Sequence, residues 1–168
     1  MTSTITPRNP VGIDAKAITW AVLGVQMMVM LAVTALRFAA GGWLLVIFLF
    51  GGFLVVFAPS VLAVAVALPV MRRGGSRVRV ACAGALAAGY AALLTAAATM
   101  PDFTDAADEN GVPIVAIVSG SGTLTNAQAQ VYHTISGVAV LCYLAATVAT
   151  IVLAITLLVI KRSAGRAR

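Results

Sequence analysis

Residues 134–160 read TISGVAVLCYLAATVATIVLAITLLVI, and no Asp, Glu, Lys or Arg interrupts them. As a helix at 1.5 Å per residue, this stretch is about 40 Å long, more than the roughly 30 Å hydrocarbon core of a bilayer. Three further runs of the same character precede it, over residues 17–36, 43–70 and 80–100. In lipid, a spanning segment must satisfy its own backbone hydrogen bonds, which leaves helices as the solution for runs of this length. The expected fold class is therefore all-α: an integral membrane four-helix bundle, with residues 1–168 as one transmembrane domain.

Composition points the same way. The chain is 61% apolar and 10% charged, with a mean hydropathy of +1.05. A water-soluble domain carries charge on about a quarter of its residues. Lipid is the expected main solvent, and the bilayer the first partner. The run at 17–36 is too long for the apolar core of a secretory signal and reads as a retained signal anchor.

The net charge of +6 is placed for topology. Arg72, Arg73, Arg77 and Arg79 lie between the second and third runs, and Lys161, Arg162, Arg166 and Arg168 follow the fourth. No aromatic residues are interleaved with them, so nucleic acid is not an expected partner. By the positive-inside rule both termini face the cytoplasm and the segment 102–133, which has no Lys or Arg, faces outward. Arg37, in the outer turn between the first two runs, is expected to snorkel towards water. Arginine far outnumbers lysine, and Ala, Val and Gly abound, as in proteins of GC-rich bacterial genomes. The expected location is a bacterial plasma membrane.

Local signals refine the spans. The second is too long for the bilayer, and a kink is expected at Pro59, which frees the carbonyl of Val55, with Gly51 and Gly52 loosening the helix before it. Its Phe48, Phe50, Phe53 and Phe57 suggest a lipid-facing helix. In the third span Gly84, Ala88, Ala92 and Ala96 recur every four residues, with Ala81, Ala85 and Gly89 beside them. Small-residue ridges let helices approach closely in lipid, so this span is expected at the centre, packed through that ridge. In the outer loop, residues 112–118 and 123–125 around Ser119-Gly120-Ser121-Gly122 read as a short β-hairpin. Thr125-Asn126-Ala127-Gln128 fits a capping box that starts the last helix well before residue 134.

Chemistry-bearing residues are few. No carboxylate or basic residue is expected inside a span, which argues against ion-coupled transport. Gln26 is the intramembrane polar candidate, as a pore-lining group or an interhelical hydrogen bond. Met27, Met28 and Met30 read as core filling. His133, the single histidine, cannot build a two-histidine haem site within one chain. With Asp102 at the neighbouring helix end and Tyr132 beside it, His133 forms an outer-rim polar candidate, expected to make a pH-sensitive contact. Asp105, Asp108 and Glu109 with Asp102 read as a solvated acidic loop; they lack the ligand alternation of a calcium loop. Cys82 and Cys142 lie at different depths and read as unpaired small residues. No catalytic residue, metal site or cofactor is expected.

Three functional readings follow. The first is a non-enzymatic accessory or structural subunit of a larger membrane assembly, with other membrane subunits or further copies as partners. The second is a small oligomeric channel or facilitator. The third is a haem- or redox-associated membrane protein. The first two differ in one respect: a packed subunit keeps Gln26, Ser60 and the threonines dry, and a channel aligns them along a wet path.

Overall fold

The computed structural model describes residues 14–103, 110–120 and 123–166. The acidic residues Asp105, Asp108 and Glu109, the Ser121-Gly122 pair and Arg168 lie outside them. Four helices are long and apolar enough to cross a membrane. The first is α1 (Ala15–Ala40), started by Asp14, whose carboxylate accepts from Lys16 N at 3.0 Å, and stopped by Gly41 in the left-handed region at φ 67°. That conformation is inexpensive only for glycine.

The second span begins as α2 (Trp43–Ile47), widens into a π-turn over Phe48–Gly52, and continues as α3 (Phe53–Arg73). The irregularity is at Gly51, with φ 123° and ψ −9°, not at the expected Pro59, which sits inside α3. A proline costs a helix one rung and bends it, whereas a positive φ interrupts it, and glycine is the residue that allows this. The aromatic residues of this span are divided. Phe48 and Phe57 are buried and meet edge to face at 5.8 Å, while Phe50 is 90% exposed. The second span is the least buried of the four, as expected of a lipid-facing helix, but two of its four phenylalanines, Phe48 and Phe57, turn into the core.

The third span is α4 (Ser76–Thr99) and the fourth is α6 (Asn126–Arg166). In α4, 39% of the most apolar stretch is buried, against 17 to 28% in the other three. It is the central span, and of the expected ridge Ala96 is buried and Ala92 packs against the core, while Gly84 and Ala88 do not face inward. Its buried face carries Cys82, Leu86, Gly89, Tyr90, Leu93, Ala96 and Ala97. Gly84 and Ala88 point outward, with nothing within 4 Å of where a Gly84 Cβ would stand. Ala92 is half-buried. The close approach comes from the neighbouring ridge, where a Cβ on Gly89 would meet the Ala146 methyl of α6 at 3.6 Å.

The loop between the third and fourth spans contains a helix where a hairpin is expected. Pro113–Ser119 forms α5, with Pro113 in its first turn and Gly120 as a left-handed C-cap at φ 71°. Proline at the start and glycine just past the end are helix punctuation, and a short apolar run does not by itself distinguish strand from helix. The strands are two-residue pieces: β1 (Asp102–Phe103), β2 (Asn110–Gly111) and β3 (Thr123–Leu124), antiparallel in the order β1-β2-β3. They bring the loop back over the bundle. A Cβ on the buried Gly111 would lie 3.1 Å from the Ala40 carbonyl at the end of α1. Thr125 and Gln128 close the capping box that starts α6, with Gln128 Oε1 3.2 Å from Thr125 N and Thr125 Oγ1 3.5 Å from Gln128 N.

Candidate functional site: two polar clasps

Two sets of polar side chains lie where water is scarce. The first sits at mid-membrane depth. Lipid cannot satisfy a hydroxyl or an amide, so each such group must find a protein partner. Gln26 of α1 is 5% exposed. Its Nε2 donates to Ser60 Oγ of α3 at 3.0 Å, and its Oε1 accepts from the Tyr90 hydroxyl of α4 at 2.6 Å. Ser60 Oγ donates in turn to Phe57 O at 2.9 Å.

Tyr143 of α6 completes the set. Its hydroxyl donates to Val56 O at 2.8 Å and accepts from Ser60 N at 3.1 Å. Those two backbone groups are the ends of one helical rung, next to the rung that Pro59 cannot form. Proline has no N–H, and its ring pushes on the carbonyl four residues back. The phenol therefore serves the backbone where the proline has loosened it. One connected set of hydrogen bonds thus joins all four spans, through Gln26, Ser60, Tyr90 and Tyr143. The void beside it, bordered by Ser60, Gly89, Thr147 and Thr150, is about 10 Å³.

The second clasp is at the opposite end from the basic loop. Arg37 is 5% exposed, so it does not snorkel. Its Nη2 donates to Ala97 O and, at 3.1 Å, to Met100 O. These are carbonyls of the last turn of α4, where orphan acceptors and the negative end of the helix dipole favour a cation. Asp102 is fully buried, and its Oδ1 accepts from Leu44 N at 2.7 Å. Leu44 lies in the first turn of α2, whose own N-cap, Gly42, has no side chain to offer. One charge thus caps the end of α4, the other caps the start of α2, and each lies in the field of the other. Arg37 Nε and Nη1 and Asp102 Oδ2 have no hydrogen-bond partner among the described residues.

This arrangement replaces the expected outer-rim pair. His133 is exposed on α6, and no hydrogen bond or ion pair joins it to Asp102. Asp102 is instead buried, with Oδ1 on Leu44 N at the start of α2. Tyr132 is half-buried beside His133. Among the described residues, no three His, Cys, Asp or Glu side chains come together. Cys82 is buried, Cys142 is exposed, and both are free.

Tyr90, Tyr143 and Arg37 are the functional side chains that sequence reading missed. Signals existed for each. A tyrosine at mid-span carries a hydroxyl that must be satisfied in lipid, and the sequence contains two. Arg37 is the single basic residue of the outer turns, and Asp102 follows directly on Pro101 at the end of the third span.

Compared with family models, curated proteins and solved structures, the chain matches none.

Proposed function

We propose that this protein is a non-enzymatic structural or accessory subunit of a multi-component assembly in a bacterial plasma membrane. The observation that carries the reading is the use of its intramembrane polar groups. Gln26, Ser60, Thr147 and Thr150 are all buried, and the void bordered by Ser60, Thr147 and Thr150 holds no more than about one water. A conduit needs polar groups left over to replace the hydration of what passes. Here those groups bind one another and the backbone. Other threonines return their hydroxyls to their own helix, as Thr34 does to Met30 O at 2.8 Å and Thr95 to Ala91 O at 2.9 Å. What remains for partners is an apolar exterior and a folded outer cap.

The test combines composition and flux. Tagged protein extracted from its native membrane in mild detergent is expected to bring defined membrane partners at constant stoichiometry, as read by mass spectrometry. The same protein in liposomes is expected to pass neither ions nor small neutral solutes. Flux that disappears on Gln26→Leu would favour the channel reading and end this one.

A further inference from the structure

The basic end of the bundle holds a second feature that the clasps do not use. Between the first and third spans lies a half-open apolar groove of about 500 Å³. Its sides are Ala17 and Ala21 of α1 and Ala83 and Ala87 of α4. Met71, at the end of α3, lines it too, and Tyr90 stands at its inner limit. The methyl side chains of these alanines leave open room between the two helices at this end. Towards mid-membrane they are tied by the 2.6 Å Tyr90–Gln26 bond and, beyond it, by Arg37 on Ala97 O.

We propose that this groove binds one acyl chain of an anionic phospholipid from the leaflet at the basic end, with the headgroup held by the cations at its mouth. Length is the first argument. From Ala17 to Val25 the wall rises about 12 Å, close to the roughly 15 Å depth of one leaflet of hydrocarbon. The groove stops at mid-membrane, so a partner's spanning helix would not fit along it, whereas a one-leaflet chain would. Chemistry is the second. The wall is apolar apart from the Tyr90 hydroxyl, which is bonded to Gln26, as an alkyl chain requires. The volume lies within the roughly 300–1,000 Å³ of ligand-holding clefts.

Charge at the mouth is the third. Lys16 directly precedes Ala17 and is exposed. Arg72 directly follows Met71 and is exposed. Arg79 lies one turn before Ala83, and its Nε donates to Met71 O at 3.0 Å, which fixes the guanidinium beside the wall. Arg73 and Arg77 are exposed on the same loop. The one carboxylate there, Asp14, is spent on capping α1. Cations clustered where an apolar path enters the bilayer are the complement of a lipid phosphate or phosphatidylglycerol headgroup.

The test uses the full chain, delipidated in a maltoside detergent and supplied with phosphatidylglycerol or phosphatidylcholine of the same acyl composition. Phosphatidylglycerol is expected to raise the unfolding temperature by several degrees more than phosphatidylcholine. Ala87→Phe, at an exposed position, fills the groove and should abolish that difference. Lys16→Ala combined with Arg72→Ala leaves the groove open and should make the two lipids equivalent. Two results overturn the proposal: equal stabilisation of the parent by both lipids, or an undiminished phosphatidylglycerol preference in the charge variant. If Ala87→Phe fails to fold, the charge variant decides. If Ala87→Phe instead changes the molar mass measured by light scattering and leaves the lipid preference intact, the groove is a contact between copies and the lipid site is rejected.

Discussion

Tyr143 contributes one hydroxyl to two backbone groups of another helix, and that sets what its loss should do. In Tyr143→Phe, Ser60 N and Val56 O retain only each other, across a rung next to Pro59. The expected cost is about 1–2 kcal/mol, the usual range for a buried hydrogen bond with partial relaxation. Gln26→Leu removes the link between α1 and both α3 and α4 and should cost about 0.6–2 kcal/mol. Arg37 is the more severe case. Arg37→Ala frees two carbonyls of α4 and leaves the buried Asp102 charge without the field of Arg37, though it breaks no direct ion pair, so about 1–3 kcal/mol is expected. Adding Asp102→Ala removes that buried charge, and the double variant should lose clearly less than the sum of the single losses. Reversible unfolding in mixed micelles, followed by circular dichroism, measures all four. Additive losses for Arg37 and Asp102 would show that the two side chains act independently.

At the scale of the element, the rotation of α4 about its axis is the informative quantity. Gly84→Leu and Ala88→Leu put bulk into open space and should change stability by less than about 0.5 kcal/mol. Gly89→Leu drives a side chain into Ala146 and should cost about 1–3 kcal/mol. Gly51→Ala forces φ 123° on a residue with a Cβ, at a cost of about 1–3 kcal/mol. Thermal melts in one detergent rank these variants, and equal melts for Gly84→Leu and Gly89→Leu would disprove the assigned face. The spans themselves were legible in the sequence because uninterrupted apolar length is a strong signal. Their rotation was not. In water, an apolar stripe tells inside from outside, but in lipid both sides of α4 are apolar, and alanine is abundant on every face. Two ridges of small residues therefore looked equivalent, and packing took Gly89 from one and Ala92 and Ala96 from the other. The polar clasps were half legible. Gln26 was visible as an isolated amide, whereas Arg37 and Asp102 read as ordinary rim charges because their partners are backbone groups far away in sequence.

At the scale of the whole molecule, all four spans converge on the mid-membrane clasp, and the loop between the third and fourth spans closes over one end. The positive-inside rule predicts that Ser119 at the end of α5 faces outward, and Ser119→Cys should then react with an impermeant maleimide added to intact cells. Labelling of that site only after lysis would invert the topology and place the lipid groove in the opposite leaflet. Trp20, 75% exposed on α1, and Trp43, at the start of α2, lie towards opposite ends of the bundle, where indole rings sit at membrane–water boundaries. The last helix, Asn126–Arg166, is about 60 Å long. It exceeds the roughly 30 Å hydrocarbon thickness, so it must extend beyond the lipid or tilt within it.

The phenol that completes the second span has a consequence for synthesis. Tyr143 lies 83 residues beyond Ser60 in the chain. A ribosome delivering residues in order places Pro59, Ser60 and Val56 in the bilayer well before their partner is made. During that interval Ser60 N and Val56 O have only each other, across a rung next to Pro59. The Val55 carbonyl freed by the proline lacks its helical N–H partner, in hydrocarbon that cannot serve it. The nascent three-helix intermediate is therefore unfinished in a defined place and depends on shelter from the insertion machinery. The fourth helix acts as a keystone, and a chain terminated before residue 143 is expected to be cleared by membrane proteases, although three of its spans are intact.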